Sequence, residues 1–343
     1  MSDQRPVLVV TQLDDPTADL VVAALNERNV PVVRFDTADF PTHLSFAATV
    51  GAGDTRDDRG AFGGIYNLDN YCHIDGVGGW LRARSRTVLL SAVRSLYYRR
   101  PSAFVFPEMA PQDRAFAILQ ARYGLGGVLT SLPGCLYVNH PHRIADAELK
   151  PAQLAVAAEV GFTVPPTLVT NDPAAARAFA GAVGPVVYKP LRLLPYADAE
   201  GRARTVWVRE VDAADFDEAI QHTVHLVQAK VDKAADVRIT VIGREVFAVR
   251  IDSEHLDWRR DYSTLQYTVI DIPDGVIQAV RAYLERFGLM FGAFDFALDA
   301  NDVLVFLECN PNGQWAWLEE EHTGLPMTAA LADLLAGGCV DGR

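Results

Sequence analysis

Cysteine is scarce: Cys72, Cys135, Cys309 and Cys339 are the only four in 343 residues, and they form no CxxC pair and no metal-ligand spacing. A disulfide framework and a zinc ribbon are therefore not expected, and the four read as reduced thiols of a cytoplasmic protein. Long apolar runs are lacking too. A stretch such as LVFL at 304–307 falls far short of the roughly 20 residues a membrane helix needs, and the opening MSDQRPVLVV has no basic segment followed by a long apolar one. A membrane partner is not expected. Positive charge is also short, with 31 Lys and Arg against 44 Asp and Glu and a formal net charge of −13. This argues against nucleic acid as a partner, because such binding rests on clustered cations displacing counterions. The densest basic stretch is Arg82, Arg84, Arg86, Arg94, Arg99 and Arg100, which reads as solvated surface ahead of a peptide-docking face. The turn after the first strand is Thr11-Gln12-Leu13-Asp14-Asp15, so the glycine fingerprint of a dinucleotide site is absent.

What the chain does have is a large apolar fraction, 50%, enough to bury the cores of two or three units. PVLVV at 6–10, a helical pattern over about 17–27 and PVVRFD at 31–36 form a strand, helix, strand unit of parallel α/β type. Short strands follow near 44–50, 62–67 and 78–83, with Gly51, Gly53, Gly63 and Gly64 as turn material and helices around 87–96 and 111–123. The texture changes near Pro141. ELKPAQLAVAAEVGF reads as a helix with Pro151 in its first turn and Gly161 at its end, and Asp172-Pro173 caps an alanine-rich helix to about Val183. The strand PVVYKP, a loop over 191–204 and a helix over about 213–225 come next. The last unit has strands near 226–231, 236–242, 245–252 and 265–271, a helix from about Asp274 to Phe287, and FGAFDFALDANDVLVFLECNPNGQW. The expected domains are 1–135, 136–225 and 226–343.

In the final pair of strands Asp295, Glu308 and Asn310 are the hydrophilic side chains in otherwise apolar, strand-forming sequence. Oxygens buried there without partners are expensive. Strand alternation puts Glu308 and Asn310 on one face and Cys309 on the other. A two-residue turn through Asn301-Asp302, or a four-residue loop, sets Asp295 opposite Glu308; a three-residue loop sets them on opposite faces. Two carboxylates and a carboxamide are hard ligands suited to Mg²⁺ that takes its remaining oxygens from nucleotide phosphates, whereas zinc is disfavoured without His or Cys on that face. The plainer alternative is a set of rim-exposed polar residues on an edge hairpin. Lys150, just before a helix, and Lys189, on an apolar strand, each read alone as snorkelling surface residues; together with the hairpin they suggest a triphosphate clamp.

Lys150, Lys189, LVQAKVDK at 226–233 and DFALD…FLECNPNGQW together resemble the ATP-grasp superfamily over roughly residues 140–335. YYRRP at 97–101 with Leu96 before it, DVRITVIG at 236–243, HLDWR at 255–259 and NPNGQWAWLE at 310–319 are similar to the ATP-grasp maturases of ribosomal peptides, the graspetide or microviridin-type synthetases, including an actinobacterial branch. The resemblance implies an α/β (α+β) ATP-grasp fold: an N-terminal parallel α/β domain followed by two α+β subdomains that clasp ATP. It implies that Lys150 and Lys189 bind phosphates, that Gln228 and the backbone of Ala229, Lys230 and Val231 read adenine, and that Asp295, Glu308 and Asn310 hold Mg²⁺. Asp236 and Arg238 would face the carboxylate being activated or the incoming nucleophile, with Arg250 a second candidate for the acyl phosphate. Many such hinges carry an acid beside adenine; here Ala229 and Lys230 stand there, and the ribose contact falls to Asp232 or Lys233. Arg259 is a candidate substrate contact, while Trp315 and Trp317 read as structural.

The chemistry the resemblance implies is phosphorylation of an Asp or Glu side chain of a precursor peptide, leader plus core, and displacement of phosphate by a Ser, Thr or Lys side chain of the same peptide. ω-Ester or ω-amide rings result, and self-association as a homodimer is left open. The competing readings are a ligase that adds an amino acid to a peptide or joins small metabolites, and a nucleotide-binding regulator without turnover.

Overall fold

The computed structural model describes residues 4–51, 76–192 and 196–338. The apolar run Val7–Val10 (β1) is wholly buried. Asp15 then caps helix α1 (Pro16–Glu27) by accepting the Ala18 N–H, with proline in the first turn. Strand β2 (Val32–Phe35) pairs parallel with β1. Strands β3 (Leu44–Gly51), β4 (Gly76–Ala83) and β5 (Arg86–Leu89) make a separate antiparallel sheet, after which β6 (Ser95–Tyr98) returns to the other side of β1. Helix α2 (Pro111–Leu129) leads to β7 (Leu136–Val138), completing a parallel sheet of order β2-β1-β6-β7. The expected helix around 87–96 is instead β5, a 3₁₀ turn over Leu90–Ala92 and β6. Val88, Leu90, Val93 and Leu96 are all buried, but their spacing suits either period, and pairing with β4 and β1 decides it. The expected strand at 62–67, Gly53, Gly63, Gly64, Cys72 and Cys339 lie outside the described residues.

After α3 (Pro141–Ala147) and α4 (Lys150–Glu159), the chain builds an antiparallel sheet of order β12-β9-β13-β8. Its strands are β8 (Thr167–Thr170), β9 (Val186–Lys189), β12 (Arg209–Val211) and β13 (His225–Ala229), with α5 (Pro173–Val183) between β8 and β9. A small hairpin, β10 (Tyr196–Ala197) with β11 (Ala203–Arg204), occupies the stretch read as loop. In place of one helix over 213–225 there are two 3₁₀ turns, Ala213–Asp215 and Glu218–His222. Asp212 and Asp217 each cap a turn, so two helix starts five residues apart close separately.

Strand β13 hydrogen-bonds to β8 and β9 rather than to the strand that follows it, so the chain changes sheets at 230–232. The final sheet, of order β16-β15-β14-β17-β18, is made of β14 (Lys233–Ile242), β15 (Glu245–Asp252), β16 (Gln266–Val269), β17 (Phe291–Asp299) and β18 (Leu304–Asn310). Helix α6 (Asp274–Phe287), found at its expected bounds, covers one face with α4, burying Tyr283, Phe294, Phe296 and Phe306 around Phe162. The other face is turned toward the β12-β9-β13-β8 sheet and carries the polar residues. A short α7 (Ala316–Leu318) precedes α8 (Met327–Gly337), which returns to the first unit: Leu331 and Leu335 share a core with Val7, Val21 and Leu25. Among the described residues no helix is long and apolar enough to cross a membrane.

Candidate active site in the cleft between two sheets

The loop from β17 to β18 is Ala300-Asn301-Asp302, closed by the Asp299 N–H on the Val303 carbonyl at 3.0 Å, with Asp302 at φ 59°. A three-residue loop on its own sends Asp295 and Glu308 to opposite faces. The ladder keeps that setting through Leu298 with Leu304 and Phe296 with Phe306, and then bulges: the next pair is Asp295 with Glu308, and Leu307 is the extra residue. The bulge turns both Leu307 and Glu308 into the cleft. Cys309 then points into the core at 1% exposure, and Asn310 comes back to the cleft side.

On that face Asn310 Nδ2 lies 3.3 Å from Asp295 Oδ2 and 3.4 Å from Glu308 Oε1. Arg238, directly opposite Asp295 in the β14–β17 ladder, donates to Asp295 Oδ1 at 2.7 Å. Lys150, the first residue of α4, pairs with Glu308. Arg259 reaches Glu308 Oε1 at 3.3 Å and is oriented by Asp257, at 2.8 Å from Nε and 3.1 Å from Nη2. Burial alone would raise the Glu308 pKa, but Lys150, Arg259 and Lys189 outweigh it and hold the carboxyl well below the usual range. Burial works against Arg259 too, yet Asp257 and Glu308 keep its guanidinium firmly charged.

From the facing sheet, Lys189 at the end of β9 enters the same space. Burial pushes its pKa down to about 8; Glu308 opposes the shift, and the neighbouring cations Lys150 and Arg259 add to it. Asp236 shares a face with Arg238, as expected from alternation, and burial raises its pKa to about 6 despite pairing with Lys233. Lys233 also donates to the Leu256 carbonyl at 2.9 Å.

The other expected residues divide. Gln228, Ala229 and Val231 line the cleft, with Gln228 Nε2 donating to Thr167 Oγ1 at 2.8 Å. Lys230 turns away: its N–H donates to the Pro185 carbonyl at 2.8 Å, and its ammonium pairs with Glu210. Asp232 is exposed and does not line the cleft, whereas Lys233 does. Arg250 is a correction. It stands opposite Val237 in the ladder, hence on the face away from Asp236 and Arg238, and it is tied to Asp252 at 2.8 Å. The solvated reading of the arginine stretch is corrected as well. Arg82, Arg84, Arg86 and Arg100 are exposed, but Arg94 and Arg99 are buried. Arg94 donates to the Ala336 carbonyl, and Arg99 pairs with Asp15. Trp315 lies in the core, while Trp317 lines a second cavity.

That second cavity adjoins the first, and the two share Lys150, Trp258, Arg259, Asp295 and Glu308. The first runs past Lys189 and Gln228; the second runs past Arg238, Asn310, Tyr262 and Trp317. Sequence reasoning missed Gln153, whose amide bonds both the N–H and the carbonyl of Cys309 at 2.9 Å and so fixes β18 from α4. It also missed Gln314, which joins Arg99 to the site.

Two antiparallel sheets facing across a cleft, one bringing lysine and the other a carboxylate-bearing hairpin, define the ATP-grasp fold, and this chain has it. It is similar over 97% of its length to the macrocyclase MdnC from Microcystis aeruginosa, solved with the precursor peptide MdnA, at 26% identity and TM-score 0.80, covering 100% of that chain. The macrocyclase MdnB from the same organism is 28% identical, with TM-score 0.76 over 97% of this chain and 100% of that one. An ATP-grasp ligase associated with ribosomal peptide maturation in Chryseobacterium gregarium, solved with ADP and a leader and core peptide, is 23% identical, with TM-score 0.83 over 97% of both chains. No protein-family model and no curated protein matches the chain.

Proposed function

We propose that this protein is an ATP-dependent ligase that activates Asp or Glu side chains of a ribosomal precursor peptide and joins them to Ser or Thr hydroxyls or Lys amines of the same peptide. The observation that carries the reading is the double cavity meeting at Glu308. One arm offers the lysines and the Gln228 to Val231 strand end suited to a nucleotide, and the other offers Arg238, Arg259 and an aromatic wall suited to a peptide. The similarity to MdnC and MdnB over nearly the whole of all three chains supports it.

Lys150 and Lys189 would hold phosphates, Gln228, Ala229 and Val231 adenine, and Lys233 ribose. Asp295, Glu308 and Asn310 fit Mg²⁺ by chemistry and by position: three oxygen-bearing side chains converge, and their carboxylates are now balanced by Arg238, Lys150 and Arg259. A nucleotide's phosphates give Lys150 and Lys189 a competing anion and so release Glu308. MgATP supplies the phosphoryl group that turns a poor electrophile, the carboxylate, into an acyl phosphate. Arg238 and Arg259 orient the substrate carboxylate and screen its charge. Asp236, ionised above about pH 6, accepts the proton that the attacking hydroxyl or neutral amine loses as its bond to the acyl carbon forms, and inorganic phosphate leaves with the bond closed.

Each closure removes the elements of one water, so the product of protein, MgATP and a precursor peptide loses about 18 Da per bond while the chain stays single, with one ADP formed per closure. Mild base reopens esters and spares amides. A mass gain, or transfer of a free amino acid to the peptide, would establish a different ligase.

A further inference from the structure

Arg99 lines the peptide-side cavity, but its guanidinium is already committed. Its side chain and that of Asp15 are each 1% exposed, with Nε and Nη2 on the Asp15 carboxylate at 2.7 and 3.1 Å. Thr11 Oγ1 adds a third donor to Asp15 at 2.6 Å, and Arg99 Nη1 donates to the Tyr97 hydroxyl at 3.0 Å. The remaining Nη2 bond goes to Gln314 Oε1 at 2.9 Å, which also accepts from Thr17 Oγ1 at 2.8 Å. The backbone carbonyl of Gln314 in turn accepts from Arg238 Nη2 at 3.0 Å, while Arg238 Nη1 holds Asp295. Asn312 ties the same turn to the Arg99 carbonyl at 2.9 Å. At Gly313 an added Cβ would lie 2.8 Å from Arg238 Nη2 and 2.6 Å from Ala293 Cβ, so the turn is pressed against the guanidinium.

We infer that Arg99 and Gln314 are positioning residues. Through the 311–315 turn they hold the Arg238 guanidinium in the plane that faces both Asp295 and the substrate carboxylate, so the N-terminal sheet sets the geometry of a site it does not itself line with reactive groups. Arg238 has two anchors: one is Asp295, whose charge is shared with Asn310, and the other is a neutral carbonyl on a turn. The second anchor is only as fixed as the turn, and the turn is fixed by an ion pair rooted in the loop after β1. A guanidinium held at one nitrogen can swing; held at two, it cannot.

The inference rests on the ligase reading, and the test separates the two. Wild-type protein, Gln314→Glu, Gln314→Leu and Arg99→Lys are compared for ADP binding by calorimetry, melting temperature, and kcat and KM for a precursor peptide with MgATP. Gln314→Glu keeps an acceptor for Arg99 and Thr17 and should stay within about threefold of wild type. Gln314→Leu and Arg99→Lys should each lose about tenfold or more in kcat, with ADP affinity unchanged within about twofold. Failure of wild type to close any bond would overturn the ligase reading. Overturning this inference takes an active wild type with Gln314→Leu equally active, Gln314→Glu as impaired as Gln314→Leu, or kcat falling only in step with ADP affinity and melting temperature.

Discussion

Lys189 makes no salt bridge among the described residues, yet it stands within the field of Glu308, Lys150 and Arg259. With a pKa of about 8 it is mostly charged at pH 7, and added phosphates raise that pKa further. Between pH 8 and the higher value of the complex, nucleotide binding must therefore take up a proton, so the Lys189 contribution makes affinity for ADP fall as pH rises past about 8. Calorimetry in buffers of different ionisation enthalpy reads that proton directly, and Lys189→Met should abolish the slope; a slope that survives the substitution assigns it elsewhere. Glu308 carries the opposite demand. Gln at this position leaves Lys150, Lys189 and Arg259 facing one another without their shared anion, which favours a bound nucleotide while removing one anionic ligand for Mg²⁺. Glu308→Gln should bind ADP at least as well as wild type and turn over roughly 10²–10³-fold more slowly. Unchanged ATP consumption would remove Glu308 from the metal site.

At the level of elements, β18 is held where the chemistry needs it by α4 as much as by its own ladder. Gln153 spans the backbone of Cys309 and also donates to the Ala147 carbonyl at 2.6 Å, all in buried surroundings. Gln153→Leu keeps the volume and orphans those groups, so it should cost roughly 2–4 kcal/mol in denaturant melts; a loss below about 0.5 kcal/mol would mean that the strand relaxes freely. The same hairpin marks where sequence reading reached and where it stopped. Asp295, Glu308 and Asn310 stood out because polar side chains in apolar strands are costly, and α6 was readable because its apolar period and the Gly288 end agree. The bulge at Leu307 left no trace, since Leu suits a strand and a bulge alike; Asp295 and Glu308 share a face through that bulge rather than through a two- or four-residue turn. The 87–96 segment failed because its apolar spacing fits two periods. Arg99 looked solvated because what buries it, Asp15, lies 84 residues away.

For the molecule as a whole, α8 is the element whose place in the chain and place in space differ most. Met327, Leu331 and Leu335 are each 0% exposed, and they close a core formed with β1 and α1. Burial of roughly 1.5–3 kcal/mol per side chain sums to a figure comparable with the ~5–15 kcal/mol that holds a folded protein together. Ser95 Oγ on the Leu335 carbonyl at 2.8 Å and the Arg28–Asp333 pair at 2.7 Å add to it. A chain ending before Met327 should therefore lose cooperative unfolding and soluble expression, although every residue of the cleft is still present; a truncated chain that melts in one transition near the wild-type temperature would refute this.

Because α8 is made about 300 residues after β1, α1 and β2, the ribosome delivers the two halves of one core far apart in time. At about 5–20 residues per second the interval is on the order of 15–60 s, during which Val7, Val21 and Leu25 lack the helix that covers them. The core of the first unit therefore stays incomplete until α8 has been made. The segment from β1 to β2 thus waits for a packing partner made much later, and its completion is timed by α8 rather than by its own synthesis.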